Sequence, residues 1–109
     1  MSQFGSTMHE RRHLYIDGNW IEPSGEGSIE VVNPTNEEVI GSVPVASDSD
    51  ANTAVEAARS AFAGWSTTEV GERVEFLNRI SSLIKERSED LAEMITAEVG
   101  TPIEYSRMA

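Results

Sequence analysis

The residues of this chain with the most specific chemical pattern are HERRH, from His9 to His13. Their spacing matches H-E-x-x-H, in which two histidines one helical turn apart bind zinc and the glutamate between them acts as general base. Such a site requires a stable helix with an apolar face and a third protein ligand. Here Arg11 and Arg12 place two cations between the histidines, and His13 leads directly into the extended segment LYI. We interpret the match as fortuitous and keep a zinc hydrolase only as an alternative that depends on this pattern.

Other catalytic arrangements are sparse. The chain has two histidines, both in this segment, so a Ser-His-Asp triad has no plausible base. The glycines at 25 and 27 lie in a link between predicted strands, without a helix whose first amides would bind phosphate. The absence of cysteine excludes a disulfide, a thiolate zinc site and a cysteine nucleophile within these residues. Taken alone, the residues predict a catalytically inert chain.

Two β-hairpins are predicted over residues 13–46, after a flexible leader of residues 1–12. Asp17-Gly18 separates HLYI from NWIEP and supplies the positive φ angles of a two-residue type I′ turn. The segments SIEVV and EEVIGSVPV form the second pair, and NPTNE, residues 33–37, connects them. Pro34 favours extended geometry at Asn33 and so ends the first strand of that pair.

Helices are predicted over residues 47–109, where the hydrophobic period changes from two to 3.6. Ser47 and Asp50 read as a capping box at the start of the first helix, and Gly64 is expected to end it. One stripe of that helix is apolar and mostly alanine: Ala51, Ala54, Val55, Ala58, Phe62 and Trp65. The second helix is expected to bury the face formed by Val70, Val74, Leu77, Ile80 and Ile84.

Two further helices are predicted before the end of the sequence. Ser88 is expected to cap the third helix, which ends at Gly100, and Pro102 lies in the first turn of the fourth. The fold class is therefore α/β, with two short β-hairpins followed by three to four α-helices.

Composition restricts the partners. Eight Lys and Arg residues oppose 19 Asp and Glu residues, so the net charge is −11 and the pI is about 4.4. Nucleic acids and anionic membranes attract basic surfaces, and neither is an expected partner. The sequence has no signal-like apolar segment and no apolar run long enough to span a membrane. A cytoplasmic protein is the expectation.

Four segments together resemble one protein family. They are LYIDGNWIEP, VVNPTNEEVIGSVPVAS, DANTAVEAARSAFAGW and ERVEFLNRISSLIKERSEDLAEMITAEVGTP. Their order and spacing are similar to the N-terminal segment of the NAD(P)-dependent aldehyde dehydrogenase superfamily, over residues 13–109. The specific features are Ile-x-Gly-x-Trp in the hairpin, the Asn-Pro turn, the alanine-rich helix that ends in Phe and Trp, and the Glu-x-Gly-x-Pro helix stop. Val99 and Thr101 depart from residues common at those positions, so the resemblance names no subfamily and no aldehyde.

The resemblance implies a parent enzyme several times longer than this chain. In such enzymes a cysteine attacks the aldehyde, the thiohemiacetal passes hydride to NAD or NADP, and a glutamate-activated water hydrolyses the thioester. Those groups and the Gly-containing cofactor loop lie in parts of the family's sequence that have no counterpart here. The chain is thus expected to be an inactive N-terminal fragment, with no catalytic or cofactor-binding residue, lacking the Rossmann sheet core and the catalytic domain.

One site is implied by the resemblance. Many members hold a structural monovalent cation, Na or K, between a backbone carbonyl before the Asn-Pro turn and an acidic side chain before the helix stop. These positions correspond to Val32 and Glu98. Glu98 lies in the last turn of its predicted helix, where the macrodipole disfavours a negative charge by about 0.3 to 1 kcal/mol. The alternative is a solvated Glu98, or one paired with an arginine.

The expected partners follow from the uncovered helix faces. In the family these faces pack on later sequence, so the fragment is expected to self-associate or to bind the missing remainder of the enzyme. The resemblance implies that the parent is a homo-oligomer. An acidic helical module that binds a partner protein without catalysis is the alternative from another functional class.

Overall fold

The structure is a computed structural model that describes residues 9–109, and these residues form five strands and four helices. The strands are β1 (His9–Glu10), β2 (Leu14–Ile16), β3 (Asn19–Ile21), β4 (Ser28–Val32) and β5 (Val39–Pro44). The helices are α1 (Asp48–Ser66), α2 (Val70–Glu86), α3 (Ser88–Val99) and α4 (Ile103–Ser106). The predicted order of hairpins followed by helices is confirmed.

The first hairpin pairs β2 with β3 in antiparallel register, with Leu14 opposite Ile21. The turn residues Asp17 and Gly18 have φ angles of 54° and 77°, as a type I′ turn requires at both central positions. The rings of Tyr15 and Trp20, which are cross-strand partners, have centroids 5.0 Å apart. The turn and this aromatic pair therefore add to the backbone pairing that holds the hairpin.

The second pair joins β4 and β5 in antiparallel register. Asn33 organises the connecting turn, because its Oδ1 accepts the Thr35 amide at 2.9 Å and its carbonyl accepts the Glu37 amide at 2.8 Å. Glu37 adopts a φ of 62°. The turn predicted from Asn33 and Pro34 is therefore present. An Asx-type hydrogen bond from the Asn33 side chain stabilises it, and β4 ends at the preceding residue, Val32.

The predicted boundary of the leader at residue 12 differs from the structure. His9 and Glu10 form β1, which pairs in parallel with Gly41 and Ser42 of β5, giving a sheet of order β1-β5-β4. Gly41 permits this approach, because a Cβ at that position would overlap the His9 carbonyl oxygen. The strand is held by backbone hydrogen bonds, which a polar side-chain pattern does not reveal. The rest of the predicted leader, residues 1–8, lies outside the described residues.

The prediction that Gly64 ends α1 was wrong, since the helix continues to Ser66. Hydroxyl groups satisfy its last carbonyls: Ser66 and Thr67 donate to Ala63 at 3.1 and 3.2 Å, and Thr68 donates to Gly64 at 3.1 Å. The last carbonyls of a helix have no amide partner within it. Because these hydroxyls donate to them, the helix continues past the glycine.

The predicted Ser88 cap was also wrong. A single residue, Arg87, separates α2 from α3, and no side chain caps α3. The Arg87 amide donates to Leu83 at 3.1 Å and its carbonyl accepts the Leu91 amide at 3.0 Å, so the two helices share one junction residue. The predicted end of α3 at Gly100 is confirmed, with a left-handed φ of 82°, as is a short α4 directly after Pro102.

The helices leave most of their apolar side chains in solvent. Among the described residues, the buried apolar side chains are Ala92 and Ala97. On α1, Ala54 and Ala57 are half-buried on the side that contacts β2, whereas Val55 and Phe62 are exposed. The predicted buried face of α2 is 48–65% exposed.

The accessible surface and the radius of gyration of the chain agree with this exposure of apolar side chains. The accessible surface is 8670 Å², against about 5,900 Å² for a compact monomer of 11.9 kDa. The radius of gyration is 17.3 Å, against about 13 Å for a compact domain of this length. The chain therefore exposes about 2,800 Å² more surface than a self-contained domain. Within residues 9–109, no helix combines the length and hydropathy that crossing a membrane would require.

Replacing two glycines with alanine should change stability in opposite directions. Gly100 has a φ of 82° and an added Cβ would lie 3.0 Å from Pro34 Cγ, so Gly100→Ala should destabilise by about 1–2 kcal/mol. Gly64 lies inside α1 with no atom near an added Cβ, so Gly64→Ala should stabilise by about 0.5–1 kcal/mol. Urea midpoints followed by far-ultraviolet circular dichroism measure both. Shifts of the same sign would contradict these assignments.

Candidate functional site

The HERRH segment does not form a zinc site geometry. His9 lies in β1, and the Arg11 amide donates to the Ser42 carbonyl at 2.9 Å, so the chain runs extended along β5. Four extended residues span about 13 Å, whereas a helix would bring the two histidines to about 6 Å. His13 Nε2 instead lies 2.9 Å from Glu22 Oε1 across the first hairpin. Among the described residues, no three His, Asp or Glu side chains are arranged to hold a metal.

The most buried carboxylate belongs to a group that we call the Asp50 cluster: Asp50, Ser24 and Ser47. Asp50 is 7% exposed. The Ser24 amide and hydroxyl donate to its two oxygens at 2.9 and 2.8 Å, and the Ser47 amide donates at 2.9 Å. The Asp50 amide returns a bond to Ser47 Oγ at 3.1 Å. The capping box predicted from Ser47 and Asp50 is confirmed, and Ser24 joins it from 26 residues upstream.

The electrostatics of this cluster suit a structural anchor. Hydrogen bonding from the Ser47 amide lowers the pKa of Asp50 to about 2, against the opposing effect of burial and with further help from Ser24. The carboxylate is therefore ionised and its oxygens are occupied, which leaves it a poor general base. It fastens the link before β4 to the start of α1. Sequence reasoning missed Ser24, because no local spacing connects a serine in a loop to a cap so far along the chain.

A second set of contacts fastens α4 to α3. Thr96 Oγ1 and Ser106 Oγ lie 2.8 Å apart, and Ser106 is 3% exposed. Arg107 donates to both carboxylate oxygens of Glu89, at 2.8 Å from Nη2 and 3.1 Å from Nε. Hydrogen bonding to Arg107 lowers the pKa of Glu89. These contacts set the direction in which the chain leaves Gly100.

The predicted cation pair lies on two segments that meet. Val32 ends β4 beside an irregular register and is 43% exposed, and Glu98 is exposed in the last turn of α3. Gly100 packs against Pro34, so the end of α3 adjoins the Asn-Pro turn. A carbonyl and a carboxylate are the oxygen donors that hard cations prefer. Two donors do not complete a coordination shell, and the site remains a prediction of the resemblance.

The described residues therefore supply anchors and exposed helix faces rather than reactive groups. Comparison with known proteins identifies the family of the chain. The profile of the Aldehyde dehydrogenase family matches residues 20–109. A 3-succinoylsemialdehyde-pyridine dehydrogenase from a Pseudomonas species is 36% identical over 96 residues, which are 88% of this chain and 20% of that protein.

Solved structures show the same correspondence. An aldehyde dehydrogenase from Bartonella henselae superposes with a TM-score of 0.88 at 36% identity, covering 94% of this chain and 21% of that one. A mutant of aldehyde dehydrogenase C from Pseudomonas syringae, in complex with NAD+ and octanal, superposes with a TM-score of 0.86 at 46% identity, covering 90% of this chain and 20% of that one.

The chain belongs to the aldehyde dehydrogenase family and corresponds to its N-terminal part. It spans about a fifth of the length of the relatives it matches. The predicted family and the predicted fold, hairpins and helices without the Rossmann core, are confirmed for the described residues. The alternative of an acidic helical interaction module finds no support in these comparisons.

The low pKa of Asp50 predicts that the anchor is acid-sensitive. An unfolded carboxyl titrates near 3.8 and the folded one near about 2, so the unfolded state binds more protons between these values. The stabilisation from Asp50 is present above about pH 4 and is lost as the pH falls towards 2. Asp50→Asn should therefore be less stable than the unmodified chain near neutral pH, and the two should converge in acid.

Urea midpoints measured from about pH 6 down to about pH 2 test this expectation. Asp48→Asn is the matched control, because Asp48 is an exposed carboxylate in the same first turn. The control should keep the acid dependence of the unmodified chain. If Asp50→Asn also keeps this acid dependence, the Asp50 cluster is not the cause of the loss of stability in acid.

Proposed function

We propose that this chain is the N-terminal scaffold of an NAD(P)-dependent aldehyde dehydrogenase and supplies no catalytic group to it. The family match over residues 20–109 carries the proposal. It is supported by the absence of cysteine from the chain, since the chemistry implied for the family begins with a cysteine nucleophile. Oxidation of an aldehyde to a carboxylic acid is the proposed reaction of the parent enzyme.

In this proposal the chain orients helices and supplies no reactive group. The Asp50 cluster anchors α1 to the link before β4, and the contact of Gly100 with Pro34 sets α3 against the Asn-Pro turn. These anchors hold α1 and α3 in place. The apolar side chains of α1 and α2 point outward and form a surface that the rest of the enzyme covers. The nicotinamide cofactor of the parent accepts the hydride, and its binding residues belong to that remainder.

Several finer assignments belong to the same proposal. NAD as cofactor is supported by similar structures from Pseudomonas syringae and Sinorhizobium meliloti, which are complexes with NAD+ or NAD. The acidic composition without cysteine supports a cytoplasmic location. A homo-oligomeric parent is proposed on the resemblance alone.

The cation site is proposed for the parent. Glu98 forms no ion pair in residues 9–109 and lies where the macrodipole disfavours its charge. A Na or K ion between its carboxylate and the Val32 carbonyl would relieve that cost. In this chain alone Glu98 is solvated, because a third donor is required from the remainder.

Activity assays test the scaffold role. The purified chain should produce no NADH or NADPH from any aldehyde. Co-expression with Pseudomonas syringae aldehyde dehydrogenase C that carries its native catalytic groups but lacks its homologous N-terminal segment should restore octanal oxidation, because the two parts then complete one fold. Leu77→Asp, on the exposed face of α2, should prevent the rescue. Turnover by the chain alone would show that a reactive group had been overlooked.

A further inference from the structure

The turn of the first hairpin contains a peptide bond that can rearrange without a second reactant. Asp17 is the only aspartate of the chain that a glycine follows. The Gly18 amide nitrogen can attack Cγ of the Asp17 side chain and close a five-membered cyclic imide, because glycine has no Cβ to crowd the approach. Since this chemistry needs only the two residues and water, the geometry of the turn decides how fast it proceeds.

Neither reacting group is blocked within residues 9–109. Asp17 and Gly18 are both exposed, and no atom lies within 4 Å of the place that a Cβ on Gly18 would occupy. The Asp17 carboxylate makes no hydrogen bond or ion pair within those residues. It differs in this from the Asp50 carboxylate, whose oxygens accept bonds from Ser24 and Ser47. An oxygen of the Asp17 carboxyl is therefore free to leave.

The closed hairpin nevertheless holds the two groups apart. A cyclic imide requires the Gly18 nitrogen and the Asp17 Cβ to lie on the same side of the bond between Cα and the carbonyl carbon of Asp17. The φ angles of 54° and 77° identify a type I′ turn, in which ψ of the first central residue is about +30°. That angle places the Gly18 nitrogen almost opposite Cβ. The attack therefore requires a large rotation about this bond.

Contacts on both sides of the turn prevent this rotation. The Asn19 side chain donates through Nδ2 to the Asp17 carbonyl at 3.0 Å, and this carbonyl belongs to the peptide plane that would have to turn. Asn19 also pairs with Ile16 across the hairpin, and the rings of Tyr15 and Trp20 pack at the next position with centroids 5.0 Å apart. The rotation thus requires the hairpin to open.

We propose that Asp17 is a site of covalent self-modification to isoaspartate, and that the closed hairpin protects it. In the open hairpin the bond from the Gly18 nitrogen to Cγ forms and a Cγ–O bond breaks, and one water leaves with the amide proton and the carboxyl proton. Water then opens the imide. Hydrolysis at Cγ returns aspartate, whereas hydrolysis at the original Asp17 carbonyl carbon breaks the original peptide bond and gives isoaspartate.

The modification makes the opening of the hairpin permanent. In isoaspartate the main chain runs through Cβ and Cγ, so the turn contains one additional backbone atom. A two-residue type I′ turn fixes the register of its strands, and the lengthened turn can no longer place Ile16 opposite Asn19. All the groups involved lie in the hairpin. The inference therefore depends neither on the proposed function nor on what covers the helices.

Peptide mapping of the full chain tests the protection. The chain is incubated in mildly acidic buffer with and without urea, and electron-transfer fragmentation distinguishes isoaspartate from aspartate. Isoaspartate at Asp17 should form at least about 10-fold more slowly in the folded chain than in urea, because opening must precede the attack. Asp48, which serine follows, is the internal control and should react much more slowly than Asp17 in urea. Equal rates at Asp17 with and without urea, or no isoaspartate there in urea, would overturn the proposal.

A pair of variants tests whether the hairpin itself controls the rate. Trp20→Ala removes the aromatic pair and should speed the reaction of the folded chain about 2- to 10-fold, without changing the rate in urea. Phe62→Ala is the matched control, because Phe62 lies on α1 and is 69% exposed, against 68% for Trp20. It should change neither rate. If both variants speed the reaction alike, general destabilisation controls the rate and protection by the hairpin is rejected.

Nuclear magnetic resonance of the isomerised chain tests the structural consequence. The Tyr15 and Trp20 rings are close enough in the hairpin for cross-peaks between their protons. These cross-peaks should be present in the unmodified chain and absent once Asp17 is isoaspartate. Their persistence in the isomerised chain would show that the longer turn still closes the hairpin, and would refute the permanent opening.

Discussion

The apolar surface of α1 and α2 exceeds what the rest of this chain can cover, and that constraint governs its behaviour. The sheet β1-β5-β4 and the β2–β3 hairpin are small, and within the described residues the buried apolar side chains are alanines of α3. Burial of large side chains is the main favourable contribution to folding in self-contained domains. Within residues 9–109 that contribution is small, because the large apolar side chains of α1 and α2 are exposed.

What orders the chain locally is a set of polar and backbone contacts. Asp50 accepts hydrogen bonds from Ser24 and Ser47 and so joins a loop to a helix start. The bidentate pair of Arg107 with Glu89 and the packing of Gly100 on Pro34 do the same at the other end. Each contact is directional and needs little buried area. The helices consequently have defined orientations while their apolar faces remain open.

The family of this chain is established by its own residues, whereas the activity is a proposal about the longer parent enzyme. The family is indicated by the order of turns, caps and helix stops along the chain, and all of these features lie within the sequence. The proposed activity of the parent needs groups that are not among the residues of this chain, which has no cysteine. The histidine pair that resembles a zinc motif lies along a strand, and its spacing has chemical meaning only on a helix.

The sequence by itself determined the elements that local chemistry specifies. The Asp17-Gly18 turn, the Ser47 and Asp50 capping box and the Gly100 helix stop each depend on a residue's own φ preference or on a partner within three positions. The tertiary structure alone decided the pairing of His9 and Glu10 with β5 and the bonds from Ser24 to Asp50. Both join residues that are far apart in sequence, the first through backbone groups and the second through an amide and a hydroxyl that donate to a carboxylate. The continuation of α1 past Gly64 is local, since hydroxyls three and four residues further on pair with the last carbonyls of the helix. Side-chain type and spacing encode local preference, but they do not encode which distant backbone groups meet.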